Sequence, residues 1–301
     1  MTARRLTVVV ALGSSLLLPA CGGPSSTSSS SPACPQPAAT PATRTAAPPS
    51  TDLVAGGTLT FASDLAYPPQ EFSPPGCSGK NPDGFDIDVA RAIAARMRLK
   101  ATIVDTKFEG LIPALTARRV DVVVSAMPIT DERKQAVQFV PYLLAGESFV
   151  TLGDSRKRPQ TIADLCGLRV AVEKGTAEEV HATDANNPAG NGSCAKNPVV
   201  LKDHVFAKDT EALAALRQGK VDVHFTDSAV AAYELLKSPG LAITNKAIVG
   251  ATPEGLAVRK DDGAMYAAVN AAFDAMKADG TYQRLLDEWL LSAGAITRKG
   301  P

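Results

Sequence analysis

The chain has 301 residues with 31 Lys and Arg against 31 Asp and Glu, a balance that offers no argument for a nucleic-acid or polyanionic partner. Apolar residues make up 45% and aromatics only 5%, a composition suited to one or two α/β domains with a substantial buried core.

At the N-terminus Arg4 and Arg5 precede an apolar run, Leu6 to Leu18, too short to span a bilayer as a permanent helix, which takes ~20 such residues. "LPAC" then sets the small Ala20 before Cys21, as at a processing site. The segment resembles a bacterial lipoprotein signal peptide. It implies removal of residues 1–20 and lipidation of Cys21, with an ordinary secretory signal and an incidental Cys as the lesser alternative. Residues 21–55 are mostly Ser, Thr, Pro, Ala and Gly, which bury too little surface to offset their ordering entropy, so they read as a disordered tether.

From Gly57 helix and strand signals alternate. "TLTFASD" reads as a strand, and "GFDIDVARAIAARMRL" as a helix with Ile87, Ala90, Ile93, Ala94 and Met97 on one face. "KATIVDT", "FEGLIPALTARR" and "VDVVVSA" read as strand, short helix and buried strand. The order then restarts with "LRVAVEKG", "TAEEVHATDAN", "VVLKDHVFA", "DTEALAALRQG" and "KVDVHFTD" as strand, helix, strand, helix and strand. "EGLAVRKDD" gives a further strand, and the apolar stretch from Gly263 to Leu290 gives two helices divided at Gly280. Two α/β lobes of similar plan, each a sheet flanked by helices, are the simplest expectation.

Four cysteines remain after Cys21, and in an exported protein they allow three pairings. Cys166 with Cys194 is favoured because the residues between them form a local strand, helix and loop excursion, which leaves Cys34 with Cys77 by elimination. No Cys or His spacing suggests a metal, and no cofactor is implied.

In such sheets ligands sit outside the carboxyl ends of the strands, so Asp64, Phe108, Ser125 to Arg133, Glu173 to Ala177 and Asp227 matter most. Arg133 offers a planar fork for a carboxylate and Asp227 a partner for an ammonium, so together they suit a zwitterion. Each also has a plain structural reading. Thr130 can cap a helix that leaves Arg133 solvated, Asp227 can cap the helix from Ser228, Phe108 can be core, and Asp64 can hold a turn before Pro68.

"FASDLAYPPQEF", "GFDIDVARAIA", "FEGLIPAL", "VDVVVSAMPITDERK", "LRVAVEKGT" and "TDSAVAAY" occur in the order and spacing of the polar amino-acid-binding proteins of ABC importers, the family 3 extracellular solute receptors. The resemblance covers about Gly57 to Trp289 and implies an α/β, two-lobed periplasmic-binding-protein-like fold of type II. Lobe 1 would comprise residues 56–143 and 253–293, lobe 2 residues 144–252, and a tail 294–301. Hinge strands would lie near Tyr142 to Gly146 and Gly250 to Glu254.

The resemblance further implies that Arg133 and the amide of Ala177 take an α-carboxylate, while Asp227, with carbonyls near Ser125 and Ala126, takes the α-ammonium. Tyr67 and Phe108 would flank the ligand, and Asp64 and Glu173 would line its side-chain region. Two acids there point to a basic or amide amino acid, unless Lys107 or Lys174 neutralises them. The implied partners are an ABC permease and, through the lipid anchor, the outer face of the cell membrane, with the receptor itself a monomer. The sequence departs from the family pattern at Pro128, Gln70 and Glu173. A cyclohexadienyl-dehydratase-like enzyme using Glu173 as general acid, and a sensor acting through a separate partner, are the rival readings.

Overall fold

A computed structural model of the chain describes residues 52–77, 81–187 and 192–296. The signal segment, Cys21, most of the tether, the pairing that needs Cys34 and the end of the tail lie outside the described residues.

The first stretch contains β1 (Thr58–Ser63), a short hairpin of β2 (Ala66–Tyr67) and β3 (Glu71–Phe72), α1 (Phe85–Arg96), β4 (Lys100–Asp105), α2 (Leu111–Thr116), β5 (Val122–Val123) and α3 (Asp131–Ala136). β1 pairs in parallel with β4 on one side and β5 on the other, as strands joined by helical crossovers must. A 16-residue strand, β6 (Val137–Leu152), then leaves this half of the sheet for the other. There β7 (Val170–Glu173), α4 (Ala177–Ala185), β8 (Val205–Phe206), α5 (Asp209–Arg217), β9 (Val223–Asp227), α6 (Ser228–Lys237) and β10 (Leu241–Ile243) follow. The chain returns along β11 (Val249–Arg259) and closes with α7 (Gly263–Ala278) and α8 (Thr281–Glu288).

The strand order β4-β1-β5-β11-β6-β9-β7-β8, with β10 also on β6, makes β6 and β11 common to both halves. The first part of β6 pairs with β11, and its last part, Glu147 to Val150, pairs with β9. The register of β11 against β6 slips between Val249 and Thr252, where the two strands cross. At this crossing a Cβ on Gly146 would meet Ile248 Cγ2 at 2.2 Å and Val249 O at 2.7 Å, so the close approach requires glycine.

Each half has its own core. In the first, Phe61, Phe85, Ile93, Met97 and Tyr142 pack against Val258, Val269 and Phe273 from the chain's return. In the second, Phe149 and Phe225 tilt together at 4.8 Å among Val170, Val172 and Leu165. α1 buries the expected stripe and also Phe85, Val89 and Ala92, because α7 and α8 cover its outer side. Even Arg96 is fully buried there, held by Asp279, by Thr281 Oγ1 at 2.9 Å and by Ala92 O at 3.1 Å.

Several elements differ from the sequence expectation. "VVLKDHVFA" is strand only at Val205–Phe206: Asp203 turns through a left-handed conformation (φ 62°), and upstream only Val200 bridges Arg169. "FEGLIPALTARR" is a 3-10 turn over Phe108–Gly110 followed by α2, which ends before Arg118 at φ 56°. The hairpin, β6 beyond its hinge segment, and β10 are additions that sequence periodicity does not mark. Gly280, at φ 79°, does separate α7 from α8.

Cys166 and Cys194 form the favoured disulfide, with Cα atoms 5.0 Å apart and a sequence separation of 28. A loop of that length corresponds to about 3–4 kcal/mol in the chain-entropy account. Replacing both cysteines by Ser is expected to lower the urea midpoint accordingly; an unchanged midpoint would show that the second half does not depend on the bond.

Candidate functional site: the cleft between the sheet halves

The residues singled out at strand ends converge from both halves. Asp64 follows β1, Ser125 and Ala126 follow β5, Arg133 lies in α3, Glu173 ends β7, Ala177 opens α4 and Asp227 ends β9. Tyr67, Phe108, Ala126, Glu173, Ala177 and Asp227 line one small cavity of about 10 Å³, joined by Pro128, Thr176 and Glu178.

Two carboxyl groups lie together here, Glu173 in the cavity wall and Asp64 bonded to Phe108 behind it. Asp64 is 1% exposed; one of its oxygens accepts from Phe108 N at 2.9 Å, and its carboxyl also faces that of Glu173. Its carboxyl therefore organises residue 108 and not the turn before Pro68. Glu173, 3% exposed, shares a hydrogen bond with the Asp64 side chain, which lowers Asp64 and raises Glu173. Burial first, then the charges of Asp209 and Asp64, push Glu173 up to about 10, so it holds a proton at neutral pH. Burial pushes Asp64 up to about 6, against the Phe108 N–H and the charge of Lys208. Neither expected neutralising base takes this role: Lys174 instead pairs with Glu109 at 3.1 Å, and Lys107 is not among the charges acting on either acid.

Arg133 has a half-buried guanidinium and a well-defined task. Thr130 caps α3 by accepting from Arg133 N, which sets the direction of the side chain. One terminal nitrogen donates to Pro128 O at 2.9 Å and the other to Gly175 O, across the cleft, at 3.0 Å. Its carbon sits 5.2 Å from the centroid of the Phe108 ring, so Phe108 serves here as a platform for the guanidinium. Burial holds Arg133 below its ordinary range, opposed by Glu178 and Glu132.

Asp227 is both a cap and a cleft residue. Its side chain accepts from Ala229 N at 2.8 Å at the start of α6, and its backbone N–H donates to the Tyr67 hydroxyl at 3.3 Å. Burial pushes it up to about 6, with Glu147 and Asp209 adding to the rise.

Ser125 points away from the cavity: its hydroxyl accepts from Asp64 N at 3.0 Å and donates to Glu71 at 2.6 Å. Ala126 is held in a left-handed conformation (φ 37°) by an N–H donated to Asp86 at 2.8 Å, while the Tyr142 hydroxyl donates to the same oxygen at 2.7 Å.

Three further acids were not singled out by sequence reasoning. Glu178, 6% exposed in the first turn of α4, lines this cavity and also a second one of about 80 Å³, together with Glu147, Asp227, Glu254 and His181. Glu254 on β11 accepts from Gln70 at 3.3 Å through both oxygens, which gives the unusual Gln70 a partner. Glu147 is bonded to His181 Nδ1 at 2.9 Å. Burial pushes Glu178 and Glu254 well above the usual carboxylate range. Among the described residues no group of His, Cys, Asp or Glu could hold a metal ion.

The geometry can be set beside known proteins. Residues 59–292 match the family "Bacterial extracellular solute-binding proteins, family 3". The chain is 33% identical over 242 residues to the ABC transporter arginine-binding protein 1 of Escherichia coli (strain K12), covering 78% of this chain and 91% of that protein. A crystal structure of a mutant of ArgBP from T. maritima superposes with a TM-score of 0.69 at 35% identity, covering 78% and 95% of the two chains. An ancestral amino acid-binding protein, described as a precursor of cyclohexadienyl dehydratase, superposes at 0.66 with 33% identity, covering 77% and 95%. The two-lobed α/β fold, the extent of the match and the identity to these relatives agree, and the chain belongs to the family 3 bacterial extracellular solute-binding proteins.

Proposed function

We propose that the protein is an extracytoplasmic, lipid-anchored, monomeric receptor that captures a basic or amide amino acid between its lobes and delivers it to an ABC permease. The observation that carries this reading is that Asp227 and Glu173 from one half line the same cavity as Phe108 from the other, against which Arg133 and Asp64 are both held. Arg133 with the Ala177 amide would take the α-carboxylate, and Asp227 the α-ammonium. Tyr67 and Phe108 would flank the ligand, and the two acids would pair with a cationic side-chain end. Neither half alone satisfies all of these groups, so ligand would stabilise the closed form through its higher affinity for it. The lobes divide at 143/144 and 252/253 in this reading. The names of the relatives include arginine, histidine and lysine/arginine/ornithine, which supports the basic class.

The test is a thermal-shift screen of the full chain against the standard amino acids, ornithine, citrulline and prephenate. A ligand of the folded state contributes about 2.7 kcal/mol at a hundredfold excess over its dissociation constant. Shifts confined to basic or amide amino acids, lost in a folded Arg133→Ala variant, are the expected result. No shift with any amino acid would sink the reading.

A second reading has one observation behind it: Glu173, buried and proton-bearing, has the state a general acid needs, and a structural relative is a dehydratase precursor. Turnover of prephenate, followed by product absorbance, would decide for it.

A further inference from the structure

We propose that the Asp64 and Glu173 pair sorts basic from amide side chains by the proton it holds, so that the preference for arginine over glutamine falls as the pH falls. The inference rests on the receptor reading above and concerns what sets selectivity within that ligand class.

The pair is built from both halves of the sheet. Asp64 follows β1 and Glu173 ends β7; they are 1% and 3% exposed, and their side chains share a hydrogen bond. A hydrogen bond between two carboxyl groups needs a proton on one of them. The neighbours place it on Glu173. Asp64 accepts from Phe108 N at 2.9 Å and is lowered by Lys208, which Asp105 faces at 3.9 Å and opposes. Asp209, bonded to His224 at 2.7 Å, and Glu178 both raise Glu173.

At neutral pH the pair is therefore one carboxylate beside one carboxylic acid, with acceptor oxygens and a single O–H donor. A guanidinium has donors alone and gains from the one negative charge. An amide has an NH2 group for Asp64 and an oxygen that accepts from Glu173, so it satisfies both members without carrying charge. The two side chains favour opposite protonation states. Loss of the Glu173 proton strengthens the hold on a cation. A second proton, on Asp64, leaves a buried cation unpaired, while an amide keeps its hydrogen bonds. Asp64 is raised to about 6, so its ionised share falls from about nine-tenths at pH 7 to about one-tenth at pH 5. Asp227 is also raised to about 6, but it serves the α-ammonium that both amino acids carry, and its effect cancels in their ratio.

Calorimetric titration of the full chain with arginine and with glutamine at pH 5, 7 and 8.5 makes the test. The ratio of their association constants, arginine over glutamine, is expected to be about tenfold lower at pH 5 than at pH 7, and higher again at pH 8.5. In Glu173→Gln, which keeps the shape and fixes the neutral form, the rise from pH 7 to 8.5 should disappear. In Asp64→Asn the fall from pH 7 to 5 should disappear. A wild-type ratio constant within about twofold, or an unchanged profile in both variants, would overturn the inference and leave the receptor reading intact. Binding of only one of the two amino acids at every pH would do the same. Binding of neither would overturn both.

Discussion

Asp227→Asn is expected to leave the chain folded and to weaken arginine by two to three orders of magnitude. Asn retains the side-chain oxygen that accepts from Ala229 N, and it caps helices about as well as Asp, so α6 keeps its start. What is lost is the charge at a position only 5% exposed. Removing one partner of a buried ion pair costs about 3–5 kcal/mol, and each ~1.4 kcal/mol is tenfold in the dissociation constant. Calorimetric titration beside a far-ultraviolet circular dichroism spectrum makes the comparison. A folded variant that loses less than tenfold would mean that the ligand ammonium is paired elsewhere, with Glu178 in the same cavity and Glu254 beside Asp227 as the substitutes.

Glu173→Gln is expected to stabilise the unliganded protein at alkaline pH and to flatten its pH dependence. The ordinary value for Glu is 4.5, and burial raises Glu173 to about 10. A raised acid leaves stability intact below its unfolded value and erodes it as pH climbs toward the folded value, because the unfolded chain releases the proton first. The wild type therefore loses stability from about pH 4.5 upward, whereas Gln does not titrate. The variant should gain on the order of 5 kcal/mol at pH 8, close to nothing at pH 4, and on the order of ten degrees in Tm. Urea midpoints at pH 5, 7 and 9 provide the check. Parallel pH profiles for the two proteins would show that Glu173 is ionised in the native state.

Most strands were legible because parallel strands covered on both faces leave runs such as "VDVVV" and "RVAVE". β6 was not, although it is the longest strand: Pro141, Gly146 and Glu147 interrupt it, and its residues are buried by two different halves in succession. The site divides along a similar line. Asp64, Arg133 and Asp227 stand at strand ends or helix starts, where topology alone makes a charge conspicuous. Glu178 was hidden because an acid in the first turn of a helix is ordinary, and Glu179 beside it has that ordinary role, accepting from Gly175 N at 2.6 Å. Only the docking of α4 against the hinge strands turns one of the pair inward. Gln70 and Glu254, 184 residues apart, are a tertiary pair with no local signature.

The interleaved path of the chain bears on its synthesis. The first half cannot be finished until β11, α7 and α8 emerge, since Leu256, Val258, Val269, Phe273 and Leu286 complete the core around Phe61, Phe85 and Ile93. The second half lies between, as one uninterrupted run from Glu147 to Val249. At translation rates of about 5–20 residues per second, the apolar faces of β1 and α1 wait on the order of ten seconds for their partners. Over that interval the later-made half can already be folded, while the earlier-made one depends on protection from aggregation.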